Sequence, residues 1–294
     1  MKTLLTLNLI VSAIAFQQGI QVKYQFHSPS SSHCLRKAVS SKTCSTKFIS
    51  KMSDNESGDE KLVKKILGRK NRVVLGYKIT SISYLLLGLV IIAKSHVPYY
   101  GMGAILVSGL GYVLSDAAVN NRLASDTYKR LNLSLIGGTL MSCTGNFLMQ
   151  GFPPERFLAF LTIVNSIKGY GYGLKGWELN SACAKEDLMK GTKQSMQIFS
   201  KIPNFMSAAY LLMTLTVGAL IVSKLKELIL LLAGNKKAFI IGTRMYRLSK
   251  LFLLGAICFT LKDGADRDRL QGTTFINLNC LNSLTFAAMT CKSP

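Results

Sequence analysis

No Asp or Glu occurs in the first 53 residues of this 294-residue chain, although seven Lys or Arg do. Histidine is nearly missing too: of three, only His96 lies beyond that stretch. One His, with no acidic pair inside the apolar segments, excludes the usual zinc, bis-His haem, di-iron and Glu–His sites. No C-x-x-C is present, and the five Cys beyond the leader (143, 183, 258, 280 and 291) are odd in number. Neither a metal site nor a disulfide framework is indicated, and mostly buried free thiols are expected. These absences predict a protein that is not an enzyme and carries no cofactor. No pigment-binding helix motif is present either.

The acid-free opening has an order of its own. Met1 and Lys2 form a charged start, residues 4–15 an apolar run, and Ala13 and Ala15 the small residues a signal peptidase requires. The run is too short to span a bilayer, which takes about 20 residues. Behind it, Lys23, Arg36, Lys37, Lys42, Lys47 and Lys51 are interspersed with serines, the composition of a transit peptide. The two parts in series, with Phe16 directly after Ala-x-Ala, resemble the bipartite plastid presequence of diatoms and related secondary-plastid algae. The resemblance covers about the first 52 residues. It implies a signal peptide at 1–15, a transit peptide at 16–52, and residence in a plastid membrane, thylakoid or inner envelope. An ordinary signal peptide followed by a basic tail is the alternative reading.

Without the leader the chain keeps 29 basic and 14 acidic residues. In a soluble protein that excess would suggest nucleic acid. Mean hydropathy is +0.28, however, and most Lys and Arg sit in short connections between apolar runs, the topology signal of membrane proteins. The bilayer is therefore the expected partner, nucleic acid is not, and other plastid membrane proteins fit the apolar surface.

Residues 53–72 form a short head whose Leu62, Val63, Ile66 and Leu67 oppose lysines at helical spacing. A basic amphipathic helix on an anionic membrane surface and a plain positive flank both fit. Residues 73–294 read as a polytopic domain with apolar segments near 73–93, 99–118, 131–150, 157–174, 205–223, 238–260 and 271–291. With the head on the stromal side, stromal connections carry 17 Lys or Arg and the opposite side 7. Lys224, Lys226, Lys236 and Lys237 break the rule, unless the apolar piece 228–234 extends the fifth segment or turns back. Glycines such as Gly103, Gly109, Gly138 and the Gly-Tyr-Gly-Tyr-Gly run at 169–173 are expected at helix contacts or helix ends.

Segment 105–135 resembles 252–282 at an offset of 147. Asp116, Arg122, Thr127 and Asn132 match Asp263, Arg269, Thr274 and Asn279. Upstream, Tyr84 has a counterpart around Tyr210. Duplication of a multi-helix unit and common interface constraints both generate such strings; under duplication, both charged turns fall on the stromal side as parallel copies. Asp116 could pair with Arg122 and Asp263 with Arg269, or each Asp could cap the next helix.

Five basic residues fall inside the predicted spans: Lys78, Lys168, Arg244, Arg247 and Lys250. Charge inside a bilayer marks a functional candidate. Arg244, Arg247 and Lys250 recur every third residue, so one helix face could bind an anionic solute or lipid headgroup together with Lys168. Snorkelling to the interface is the competing account. The expectation is an all-α polytopic membrane bundle of about seven transmembrane helices. Its expected role is that of a non-catalytic auxiliary, assembly or organising factor working through helix contacts. A small-solute carrier or channel, for an anion, is the second reading.

Overall fold

In the computed structural model the described residues are 56–96, 98–151, 153–173, 189, 191, 196–200, 202–234 and 237–290. The presequence expected at 1–52 lies outside them. Among the described residues seven long helices carry the fold: α1 (Glu56–Ser95), α2 (Pro98–Val119), α3 (Asp126–Leu148), α4 (Pro153–Gly173), α5 (Phe205–Ala233), α6 (Ala238–Asp266) and α7 (Thr273–Thr290). No strand occurs among the described residues. Three stretches are long and apolar enough to cross a membrane: Lys70–Ser95 of α1, Gly101–Val119 of α2 and the whole of α5.

Local chemistry sets several boundaries. Pro98 and Pro153 open α2 and α4, where a missing N–H costs nothing. Asn204 caps α5, its side chain accepting from the Ser207 N–H at 2.7 Å. From Glu56 on, the head is helically continuous with the first expected segment: α1 runs unbroken from Glu56 to Ser95. The piece 228–234 does extend the fifth segment: α5 passes through Lys224 and Lys226 to Ala233.

The helices pack as two hairpin-containing units, with α4 laid against α1 and α3 of the first. Apart from α4, the contacts between helices repeat. α1 lies against α2 and α5 against α6; α3 packs on α6 and α7 on α2, while α2 and α6 touch each other. Exchanging α1–α3 with α5–α7 leaves this pattern unchanged. The turns after α2 and α6 are alike at the offset of 147. Asn121 and Asp268 both hold positive φ, 54° and 51°. The Arg122 N–H reaches the Ala117 carbonyl at 2.7 Å and the Arg269 N–H the Gly264 carbonyl at 2.9 Å. Each is a left-handed helix cap with a long return bond.

A second duplicated feature lies deeper. The Tyr77 hydroxyl donates to Asn132, and the Tyr210 hydroxyl to Asn279 at 2.5 Å. The correspondence places Tyr77, rather than Tyr84, opposite Tyr210. Sequence separations of 55 and 69 differ by 14 residues, which is about two turns in each arm of a hairpin. The α5–α6 hairpin is therefore longer than α1–α2 by about 10 Å.

The core between the units is apolar, with Leu106, Leu110, Leu114, Leu131, Leu135, Met213, Leu254, Ile257 and Leu261 fully buried. Glycine governs how close the helices come. Gly145 and Gly242 cross backbone to backbone, each Cβ position within 2.6–2.7 Å of the other's carbonyl. Gly169 faces Tyr77, whose hydroxyl fills the space a side chain would need. On the outside, α1 leaves Leu75, Ile79, Ile82, Leu86, Leu89 and Val90 exposed. Six such side chains held in water would forgo on the order of 10 kcal/mol of burial.

Candidate functional site

The interior polar site forms where α1, α2, α3, α4 and α6 meet. Tyr84, Gly103, Thr139, Glu155, Tyr246 and Lys250 line a cavity of about 10 Å³, room for about one water molecule. It lies about two turns in from the bundle end that carries the α3–α4 turn. Lys250 is 3% exposed. Its stem rests on Gly103, where a Cβ would come within 2.8 Å of Lys250 Cε, and its ammonium sits 4.8 Å from the Tyr246 ring centroid. Gly103 precedes Lys250 by 147 residues, so the two units contribute an ammonium and a vacancy to equivalent places.

Glu155 supplies the opposite charge. Its carboxylate accepts from Asn146 Nδ2 at 2.6 Å and from the Tyr246 hydroxyl, and attracts the Lys250 ammonium across the cavity. Asn146 passes the contact outward, its Oδ1 accepting from Arg156 Nε at 3.1 Å. Arg156 is held further by the Gly151 carbonyl at 2.8 Å and by the Phe147 ring. A chain of polar groups thus leads from Arg156 near the end of the bundle to Lys250 inside it. Such an arrangement can bind a small anion at the ammonium and exchange a proton at the carboxylate.

The basic residues expected to act together are dispersed. At 100° per residue, a row with a spacing of three spreads over about 120° of helix surface between its first and third members. Lys250 turns inward, Arg247 is exposed, and Arg244 pairs with Glu227 at 2.8 Å near the end of the long hairpin. Lys168 is exposed on α4, because Gly169 takes the inward position next to it. Lys78 is exposed as well, on an open groove between α1 and α2 that also carries Tyr112 and Asp116.

The repeat-turn residues find different partners from those the spacing suggested. Asp116 and Asp263 lie within α2 and α6, so neither caps the following helix. Asp116 accepts from Asn120 at 3.0 Å; Asp263 pairs with Arg130 at 3.3 Å and with Arg267 at 2.9 Å. Arg122 and Arg269 instead face one shared cavity.

Two interior charges escape the sequence reading. Glu155 falls in the expected loop before 157–174, although Pro153 at a helix start would have moved it into the first turn. Lys262 lies beyond the expected end at 260, yet it is fully buried, paired with Asp266 at 2.6 Å. Asn132 opens an N-glycosylation sequon, Asn132-Leu133-Ser134, but it is buried and bonded to Tyr77, so it is closed to glycosylation in the folded chain. No family model, no curated protein and no solved structure matches the chain.

Proposed function

We propose that this chain is a multi-pass membrane protein of seven helical spans that carries a small anion through the bundle, with Lys250 as the binding cation. The observation that carries the reading is the buried Lys250 ammonium facing the Glu155 carboxylate across an enclosed cavity. Burying a lysine costs several kcal/mol even when a carboxylate faces it. Parallel repeats about an axis along the membrane normal, with the substrate site at their interface, are an established carrier design. The pattern of turn caps and Tyr–Asn bonds supports duplication of a three-helix unit with α4 as the connecting span. The cavity is closed down to about one water, so passage requires the units to part.

The setting follows from the leader. Its Ala-x-Ala-Phe join and acid-free tract support import into a plastid and insertion in the thylakoid or inner envelope membrane. The reading is tested in proteoliposomes containing the purified chain, loaded with chloride, phosphate, bicarbonate or a dicarboxylate. Flux of at least one of these, lost in Lys250→Met, is the expected outcome. Background flux for all four overturns it.

A non-catalytic organising role keeps one specific support. Beyond the charged belt of Lys224, Glu227 and Arg244, the hairpin tip exposes Ile229, Leu230, Leu232, Phe239 and Ile240. That tip offers an apolar contact for another membrane protein.

A further inference from the structure

Arg122 and Arg269, 147 residues apart in the chain, line the same open cavity of about 330 Å³. They reach it by the same route. Each follows a left-handed residue, and each carbonyl accepts a turn bond, from the Ser125 N–H at 3.0 Å and from the Gly272 N–H at 3.1 Å. The two turns are tied together by a 2.8 Å hydrogen bond between the Tyr128 and Thr274 hydroxyls, which join the first turns of α3 and α7. The two arginines are thus brought to one cavity by the pairing of the two units.

Neither arginine makes an ion pair among the described residues. The carboxylates nearby are committed elsewhere: Asp116 to Asn120, Asp263 to Arg130 and Arg267, Asp266 to Lys262 and Ser207, Asp268 to Asn204. Asp126, in the first turn of α3, does not line the cavity. Its wall instead presents Asn121, Ser125 and Thr127. Ser125 occupies the N-cap position of α3 but makes no cap hydrogen bond with its side chain. Two planar forks, donor hydroxyls and no counter-charge call for a multivalent oxyanion with tetrahedral oxygens.

We infer that the cavity between the α2–α3 and α6–α7 turns binds a phosphoryl dianion clamped between Arg122 and Arg269. The same group could arrive as free phosphate or as the headgroup of an anionic lipid, since the cavity opens at an end of the bundle. The inference does not depend on the transport reading.

The test uses the full chain in phosphatidylcholine nanodiscs. One arm measures retention of radiolabelled orthophosphate by equilibrium dialysis; the other adds phosphatidic acid and follows bound lipid by native mass spectrometry. Binding in either arm is expected, and the arm that responds identifies the source. Arg122→Gln and Arg269→Gln should each weaken binding by roughly tenfold, as loss of one charge-assisted fork predicts. The double variant should lose it, while Lys226→Gln, on the distant hairpin, should not change it. No retention in either arm, or a double variant that binds like the parent, overturns the inference. Both arginines are exposed, so a thermal-unfolding midpoint equal to the parent's separates lost binding from lost fold.

Discussion

Lys250 lies across Gly103, its counterpart in the other unit, and the absent side chain at 103 is what makes room for the buried ammonium. A lysine at both positions would set two like charges together in a low-dielectric interior. Gly103→Leu should therefore displace Lys250 and destabilise the bundle by about 1–3 kcal/mol, the usual range for overpacking. Gly218→Ala, where a Cβ meets nothing within 4 Å, should be neutral or stabilise by up to about 1 kcal/mol. Thermal unfolding in detergent distinguishes the two.

The Lys250–Glu155 pair predicts a pattern across three variants. Glu155→Gln leaves the buried Lys250 ammonium without the carboxylate that faces it, a loss on the order of 3 kcal/mol. Lys250→Met should cost less, because half-buried Glu155 keeps its bonds to Asn146 and Tyr246. Lys250→Met combined with Glu155→Gln should recover much of that stability and yet transport nothing. If the double variant is no more stable than Glu155→Gln alone, the two groups are not coupled in the folded chain.

Tyr77→Phe and Tyr210→Phe should behave as twins. Each removes one buried hydrogen bond to an Asn of the helix that ends its unit, worth about 1–2 kcal/mol. The pairs share no partner, so the losses should add to within about 0.5 kcal/mol. A strongly unequal pair would argue against structural equivalence of the units.

Arg244 should matter little to transport. Its ion pair with Glu227 is more than one-third exposed on both sides, where solvent screens such pairs to little effect on stability. Arg244→Gln should leave anion flux at the parental level and change the unfolding midpoint only slightly.

Much of the helical layout was legible because apolar length and turn residues are local signals. The expected segments at 99–118 and 131–150 fall on α2 and α3, and the offset of 147 that ties Asp116 to Asp263 reappears in the backbone of both turns. What could not be read is rotation about each helix axis. The spacing of Arg244, Arg247 and Lys250 gave a face, but only packing decides that Lys250 alone turns inward. Glu155 was hidden for the opposite reason: a short loop and a first helical turn look alike in sequence, and its meeting with Lys250 joins residues 95 positions apart. Of the partners of Asp263, Arg267 is an i,i+4 neighbour that spacing could have offered, but Arg130 comes from α3, beyond the reach of any local pattern.

Everything rests on the apolar outer face of α1 being turned to lipid. A spin label placed by Leu86→Cys, in a chain whose native cysteines are replaced by Ala, reports that environment directly in reconstituted membranes. Relaxation enhanced by molecular oxygen and untouched by a water-soluble nickel chelate is the result predicted here. Relaxation dominated by the nickel chelate would put Leu86 in water and contradict the membrane account.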